Sequence, residues 1–259
     1  MADNNLTCHL PPTDLSPLWL VDESGILFTM GEHPDYPEYT RGLYTMAPDG
    51  SDIVALLPRS WMDGLDPQYS YSFGYALSPD SQKVAIKLNK ANKIRQGDFI
   101  DQEQLWLVDI DGSNLKQIAS YDKNIRAYYQ YGSYTYCTRQ DYYSIGGITW
   151  SPDGAHIAYA TTHYKFSQYY NQPCGGGVNQ DFSELWTVTS EGKEKTKIGS
   201  ANSQISYFIL WSPDSRKIIS SNNTDLMIAS LDGAMTTIDT FGTNATLINY
   251  WWAPDSASF

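Results

Sequence analysis

The sequence predicts an all-β fold: a β-propeller of four-stranded antiparallel blades, about four complete blades and the start of a fifth. Two recurring turns and the interval between them predict it. Ser78-Pro79-Asp80-Ser81, Ser151-Pro152-Asp153-Gly154 and Ser212-Pro213-Asp214-Ser215 repeat one pattern, and Ala253-Pro254-Asp255-Ser256 is a close fourth copy. Proline presets the first central position of a tight turn, while Asp, Ser and Gly suit the rest. An apolar or aromatic pair precedes each copy, and short apolar runs such as Val84-Ala85-Ile86 and Ile157-Ala158-Tyr159 follow. Each copy therefore reads as strand a, turn, strand b.

The second turn is Asp-Gly or a relative of it, set between alternating apolar runs. Leu43-Tyr44-Thr45-Met46 leads through Asp49-Gly50 to Ile53-Val54, and Leu105-Trp106-Leu107-Val108 through Asp111-Gly112 to Leu115-Lys116-Gln117-Ile118. Leu185-Trp186-Thr187-Val188 leads through Glu191-Gly192 to Ile198, and Leu226-Met227-Ile228-Ala229 through Asp232-Gly233 to Ile238. This is a strong hairpin signal, and it supplies strands c and d. The turn prolines at 79, 152, 213 and 254 lie 73, 61 and 41 residues apart. A bare propeller blade takes about 40 residues, so the longer intervals carry insertions. Leu18-Trp19-Leu20-Val21, a turn at Asp22-Glu23-Ser24-Gly25 and Ile26-Leu27-Phe28 form a degenerate first copy. Trp106 and Trp186 are expected to be buried between neighbouring blades, with Leu105 and Leu185 on the opposite side of their strands.

The combination Trp150-Ser151-Pro152-Asp153-Gly154, Ile157-Ala158-Tyr159, Leu185-Trp186 and a following Gly turn resembles the WD40-like Pro-Asp (PD40) repeat of TolB-like propellers. The same repeat type occurs in the propeller domains of dipeptidyl-peptidase IV and prolyl-oligopeptidase enzymes. The resemblance spans residues 15–259 and implies a propeller domain there, with residues 1–14 an N-terminal extension. It also implies a periplasmic or secreted setting. The polar start Met1-Ala2-Asp3-Asn4-Asn5-Leu6-Thr7 has no apolar stretch of the signal-peptide kind. Ile248-Asn249-Tyr250-Trp251-Trp252 reads as strand a of the fifth blade, and the chain stops at Phe259 where strand b would begin. The expectation is a fragment of a longer propeller, the alternative a complete small one.

Hydrophobic residues make up 41% of the 259 residues and aromatics 14%, with 20 Tyr and 8 Trp, enough for a sizeable core of aromatic-rich strands. A net charge of −12 repels phosphate backbones, so nucleic acid is not an expected partner. No apolar run reaches membrane-spanning length.

If strand a starts at one face of the propeller, the short Pro-Asp and Asp-Gly turns share the other. The insertions then gather on the first face: the b–c connections 31–41, 89–104 and 161–184, and the crossover 120–147. They are read as long loops, and loops on a rigid scaffold commonly carry binding. The crossover holds Tyr128, Tyr129, Tyr131 and Tyr134, then Tyr142 and Tyr143; the b–c insertions hold Tyr36, Tyr39, Tyr164, Tyr169 and Tyr170. Tyr carries a stiff apolar body and a hydroxyl tip, the chemistry of binding loops. The candidate ligand-binding set is Tyr36, Tyr39, Tyr128, Tyr129, Tyr131, Tyr134, Tyr164, Tyr169 and Tyr170. The competing reading is that these rings pack on one another to give the insertions a private core.

Cys137 and Cys174 fall in two insertions on that face and form a possible disulfide. His33 and His163 each open a b–c insertion and could share a metal across the propeller mouth, but no zinc motif is present and no metal is assigned. Gly175-Gly176-Gly177 lacks a phosphate-loop context and reads as a flexible linker. Asp80, Asp153, Asp214 and Asp255 recur once per blade, which marks them as blade-building, and Asp109-Ile110-Asp111-Gly112 reads as a hairpin turn. No Gly-x-Ser-x-Gly elbow or other catalytic motif is found, and no cofactor is implied. The resulting reading is a non-catalytic propeller that binds a protein, peptide or glycan through its long-loop face. The alternative is the propeller portion of a larger peptidase, of dipeptidyl-peptidase or prolyl-oligopeptidase type, or of a lyase.

Overall fold

A computed structural model describes residues 17–30, 42–57, 72–95, 98–131, 134–138, 141–168, 176–202, 205, 209–222, 225–240 and 252–253. Among these there are strands and turns but no helix. The first sheet is β1 (Leu18–Trp19), β2 (Ile26–Met30), β3 (Gly42–Met46) and β4 (Val54–Ala55). The second is β5 (Ser72–Leu77), β6 (Lys83–Arg95), β7 (Asp98–Asp109), β8 (Lys116–Tyr131) and β9 (Tyr134–Thr138). The third is β10 (Tyr142–Trp150), β11 (His156–Gln168), β12 (Gly176–Thr189) and β13 (Lys195–Ala201). The fourth is β14 (Ile209–Trp211), β15 (Lys217–Ser221), β16 (Asp225–Ser230) and β17 (Met235–Thr240). Within each sheet, strands pair antiparallel in chain order, the blade topology that the turns predict.

The Pro-Asp turn forms in three sheets with one set of bonds. Ser78, Ser151 and Ser212 each donate their Oγ to the turn aspartate Oδ1 at 2.6 Å. The same aspartates accept from the backbone N–H two residues on, at Gln82, Ala155 and Arg216, over 3.0–3.1 Å. The residue after each aspartate adopts positive φ: 58° at Ser81, 70° at Gly154 and 60° at Ser215. Glu23, at φ 59°, holds the equivalent place in the first sheet. The Asp-Gly turns put Gly50, Gly112, Gly192 and Gly233 at φ 64–91°, a conformation that glycine adopts without a Cβ penalty.

Consecutive sheets bury one face on the next. In β6, Val84 and Ile86 pack towards the first sheet while Ala85 packs towards the third. In β11, Ile157 and Tyr159 pack back on the second sheet and Ala158 forward on the fourth. The side-chain period of two thus serves two cores, and the run is apolar throughout because both faces are covered. Leu105 and Leu185 are fully buried and face the following sheet, while Trp106 and Trp186 face the preceding one. The predicted opposition of Trp and Leu is therefore present. The expected full burial of the tryptophans is not, for both are only half-buried.

Polar contacts tie the seams. Ser81 Oγ accepts from Val21 N at 2.9 Å, and Ser215 Oγ from Asp153 N at 3.0 Å, each from the preceding sheet. Trp150 Nε1 donates to Ala76 O at 2.8 Å, and Trp252 Nε1 to Leu210 O at 3.1 Å. Trp252 thus repeats, two blades later, the contact that Trp150 makes. The rest of the expected fifth-blade strand lies outside the described residues.

Three of the insertions are not the long loops expected from the sequence; the fourth, 31–41, lies outside the described residues. Residues 89–104 continue the β6–β7 ladder to the pair Arg95↔Asp98. Residues 161–184 extend β11 and β12 to Gln168↔Gly176, so Gly176 and Gly177 sit in a strand and not in a linker. The crossover becomes the far half of β8, the added strand β9 and the start of β10. The physical reason is mutual: each extension has a partner of matching length, so the backbone groups of both are satisfied within the ladder.

Two outcomes test this architecture. Hydrogen bonds from Ser78 and Ser212 are the main cause holding the Asp80 and Asp214 carboxyls below their ordinary 3.8; at Asp153, burial pushes the other way, and Ser151 with the Ala155 N–H outweighs it. A depressed folded-state pKa gives stability above the unfolded value and loses it as pH falls through the folded one. Unfolding free energy is therefore expected to be steady above about pH 5 and to fall below about pH 4, with a shallower fall in Asp80→Asn. Equal acid slopes in the two proteins would contradict this. In denaturant titrations, Leu185→Ala is expected to cost about 3 kcal/mol, and Trp106→Ala less than that.

Candidate functional site

The extended strands of the second and third sheets reach beyond the shared core, at the end away from the Pro-Asp turns. A buried carboxylate fixes the base of this extension. Glu103 on β7 is 2% exposed and accepts from Ser144 Oγ at 3.2 and 3.1 Å. It also accepts from the Ile145 N–H, while Lys87 on β6 stands 3.9 Å away and donates to the Ile145 carbonyl. Two strands of one sheet thereby grip strand β10 of the next. A buried charge is tolerated when paired and hydrogen-bonded, and losing one partner is costly.

Above this clasp lies a row of rings. Tyr143, His163 and Phe182 occupy paired positions on β10, β11 and β12, so they line up across the third sheet. Ring centroids are 4.7 Å apart for Tyr143–His163 and 4.9 Å for His163–Phe182. Tyr121 on β8 continues the row over the seam, 5.5 Å from Tyr143. On the opposite face of the same strands, Tyr142 and Tyr164 form a cross-strand pair stacked at 4.9 Å and 21°. Such pairs stabilise adjacent strands while leaving ring edges available.

Charge borders the row. His163 Nδ1 lies 3.1 Å from Asp181 Oδ2, and Lys165 Nζ donates to Asp181 Oδ1 at 2.9 Å. Lys165, and then His163, hold the Asp181 carboxyl below its ordinary range. Burial, with Glu184 next, raises the Tyr143 hydroxyl, which therefore stays neutral and able to donate. The arrangement offers flat apolar rings, phenol donors and an anchored carboxylate.

Of the candidate tyrosines, Tyr164 stacks on Tyr142 on the face opposite the ring row. Tyr128, Tyr129, Tyr131 and Tyr134 belong to the β8–β9 hairpin, where Tyr128 pairs with Cys137, Tyr129 with Tyr136 and Tyr131 with Tyr134. Tyr36, Tyr39, Tyr169 and Tyr170 lie outside the described residues, as do Cys174 and His33. The described residues hold no group of three or more His, Cys, Asp or Glu suited to a metal. Sequence reasoning missed Phe182, Asp181 and Tyr121 as candidate site residues, and weighed His163 only as a metal ligand shared with His33. The signal that could have found them is hairpin symmetry, since residues equidistant from the β11–β12 bend face each other once the insertion is read as strand.

No family model matches the sequence, and no curated protein matches it either. Similar solved structures include an oligogalacturonate lyase in complex with manganese (TM-score 0.39, 9% identity, covering 93% of this chain and 70% of that one). A chain of a nidogen/laminin complex gives 0.42 and 10%, covering 86% and 63%. A TolB of Agrobacterium tumefaciens gives 0.39 and 14%, covering 83% and 61%. The chain thus spans less than two thirds of the last two. At these scores the fold assignment rests on the sheets described above. The set also includes a prolyl endopeptidase (TM-score 0.28, 13% identity) and a puromycin hydrolase (0.31, 12%).

Proposed function

We propose that this chain is a binding module that recognises a protein, peptide or glycan through the extended end of its second and third sheets. The observation that carries the reading is the ring row Tyr121–Tyr143–His163–Phe182, bordered by the Asp181–Lys165 pair. Aromatic rings offer large contact area with few rotatable bonds to order, so a partner gains affinity at low entropic cost. Strands hold them more firmly than loops would, which makes the surface preorganised. The β8–β9 tyrosines extend the same end, and the insertion tyrosines outside the described residues are proposed to add to it.

Selection from a displayed peptide library and a glycan array, run against the wild-type chain and Tyr143→Ala, tests this. Binders recovered on the wild type are expected to lose at least about tenfold in affinity with Tyr143→Ala. Folding should change by about 1–3 kcal/mol, the worth of the ring contacts it makes. Hydrogen exchange should show protection on β8, β10 and β11. Protection confined to the turns at Asp80, Asp153 and Asp214 would place the partner at the other end and overturn the reading.

A further inference from the structure

At the seam between the second and third sheets, three rings surround one ammonium group. Lys195 Nζ on β13 stands 4.4 Å from the ring centre of Trp186, 5.4 Å from that of Tyr121 and 5.5 Å from that of Tyr159. It also donates to Tyr121 Oη at 2.9 Å. The exposures are graded: Lys195 is exposed, Trp186 and Tyr121 are half-buried, and Tyr159 has no exposed surface. The rings are therefore walls and floor, and the lysine is a lid. One polar atom in the box, Trp186 Nε1, is buried without a hydrogen bond. Burial drives the Tyr159 hydroxyl far above its ordinary range, so that ring stays neutral. Glu184, two residues before Trp186 and on the same side of β12, is bound to Lys197 at 3.2 Å.

We propose that Tyr121, Tyr159 and Trp186 form a binding box for an alkylammonium group, closed here by the chain's own Lys195, which an incoming quaternary ammonium or methylated lysine displaces. Ring faces carry negative potential and attract cations, and Trp does so best. Lys195 is a poor tenant. It is exposed and strongly hydrated, and among the described residues it makes no ion pair, so only the rings and the Tyr121 hydroxyl hold it. A methylated ammonium presents a larger, less hydrated cation to the same rings, and aromatic cages favour it for that reason. The net charge of −12 raises the local concentration of cationic ligands. Every wall comes from a different strand, and Tyr121 comes from the neighbouring sheet, so the box exists only while the seam is closed.

The inference goes beyond the binding role proposed above, because it is tested with small cations and no macromolecular partner. Tetramethylammonium, choline, a trimethyl-lysine peptide and its unmethylated counterpart are titrated by calorimetry into the wild-type chain, Lys195→Ala and Lys195→Ala/Tyr121→Ala. Tetramethylammonium is expected to bind Lys195→Ala at least about fivefold more tightly than wild type, and to lose that gain in the double variant. Choline bound as tightly as the peptide points to a small-molecule ligand; a methyl-dependent preference for the peptide points to a protein one. Lys195→Gln carries the test if the alanine variant does not fold. No saturable binding of any of these cations to a folded Lys195 variant overturns the box, and leaves the ring-row reading untouched.

Discussion

The structure depends on burial of one sheet against the next. A four-stranded sheet whose b strand is apolar on both faces, as at Val84-Ala85-Ile86 and Ile157-Ala158-Tyr159, cannot stand alone in water. Its even and odd positions demand two different neighbours. The clusters meet that demand in chain order: first sheet on second, second on third, third on fourth. The Ser-Pro-Asp turns follow from it as well. They reverse the chain within a few residues, so that strands a and b remain in one sheet, and two of them lend a serine oxygen to the preceding sheet.

The candidate site inherits its geometry from that stacking. The core ends near Ile145, and the strands of the second and third sheets run on past it. What keeps them together there is no longer apolar burial but the Glu103–Lys87 grip on β10 and the cross-strand ring pairs. The aromatic row crosses the seam at Tyr121–Tyr143, so any shift of one sheet along the other would break it. Lys195 and its three rings use the same seam farther along. The candidate site thus sits where two sheets meet, which lets residues remote in sequence converge.

The sequence made the repeat legible because turn chemistry is local. Asp80, Asp153 and Asp214 sit in bonds that involve only their nearest neighbours, so their motif predicts its own geometry. The opposition of Leu105 and Trp106 followed from strand alternation alone. The depth of tryptophan burial did not, because it depends on how much of the ring the neighbouring sheet covers. The insertions were misread for a related reason. A polar, tyrosine-rich stretch such as 120–131 looks like loop unless its partner is known, and here the partners are residues 99–107 on one side and 134–138 on the other. His163 then looked like a lone histidine at a loop entrance, when pairing places it between Tyr143 and Phe182.

The central claim is that adjacent residues of one strand belong to different cores. Leu105 faces the third sheet, where Ile157 belongs to the same cluster, while Val108, three residues along the same strand, faces the first. Two double-mutant cycles in denaturant unfolding test this most directly, one pairing Leu105→Ala with Ile157→Val and the other Leu105→Ala with Val108→Ala. The account expects coupling of about 0.5 kcal/mol or more for the distant pair that shares a seam, and near-additivity for the sequence neighbours that do not. Additivity between Leu105 and Ile157 together with strong coupling between Leu105 and Val108 would contradict it.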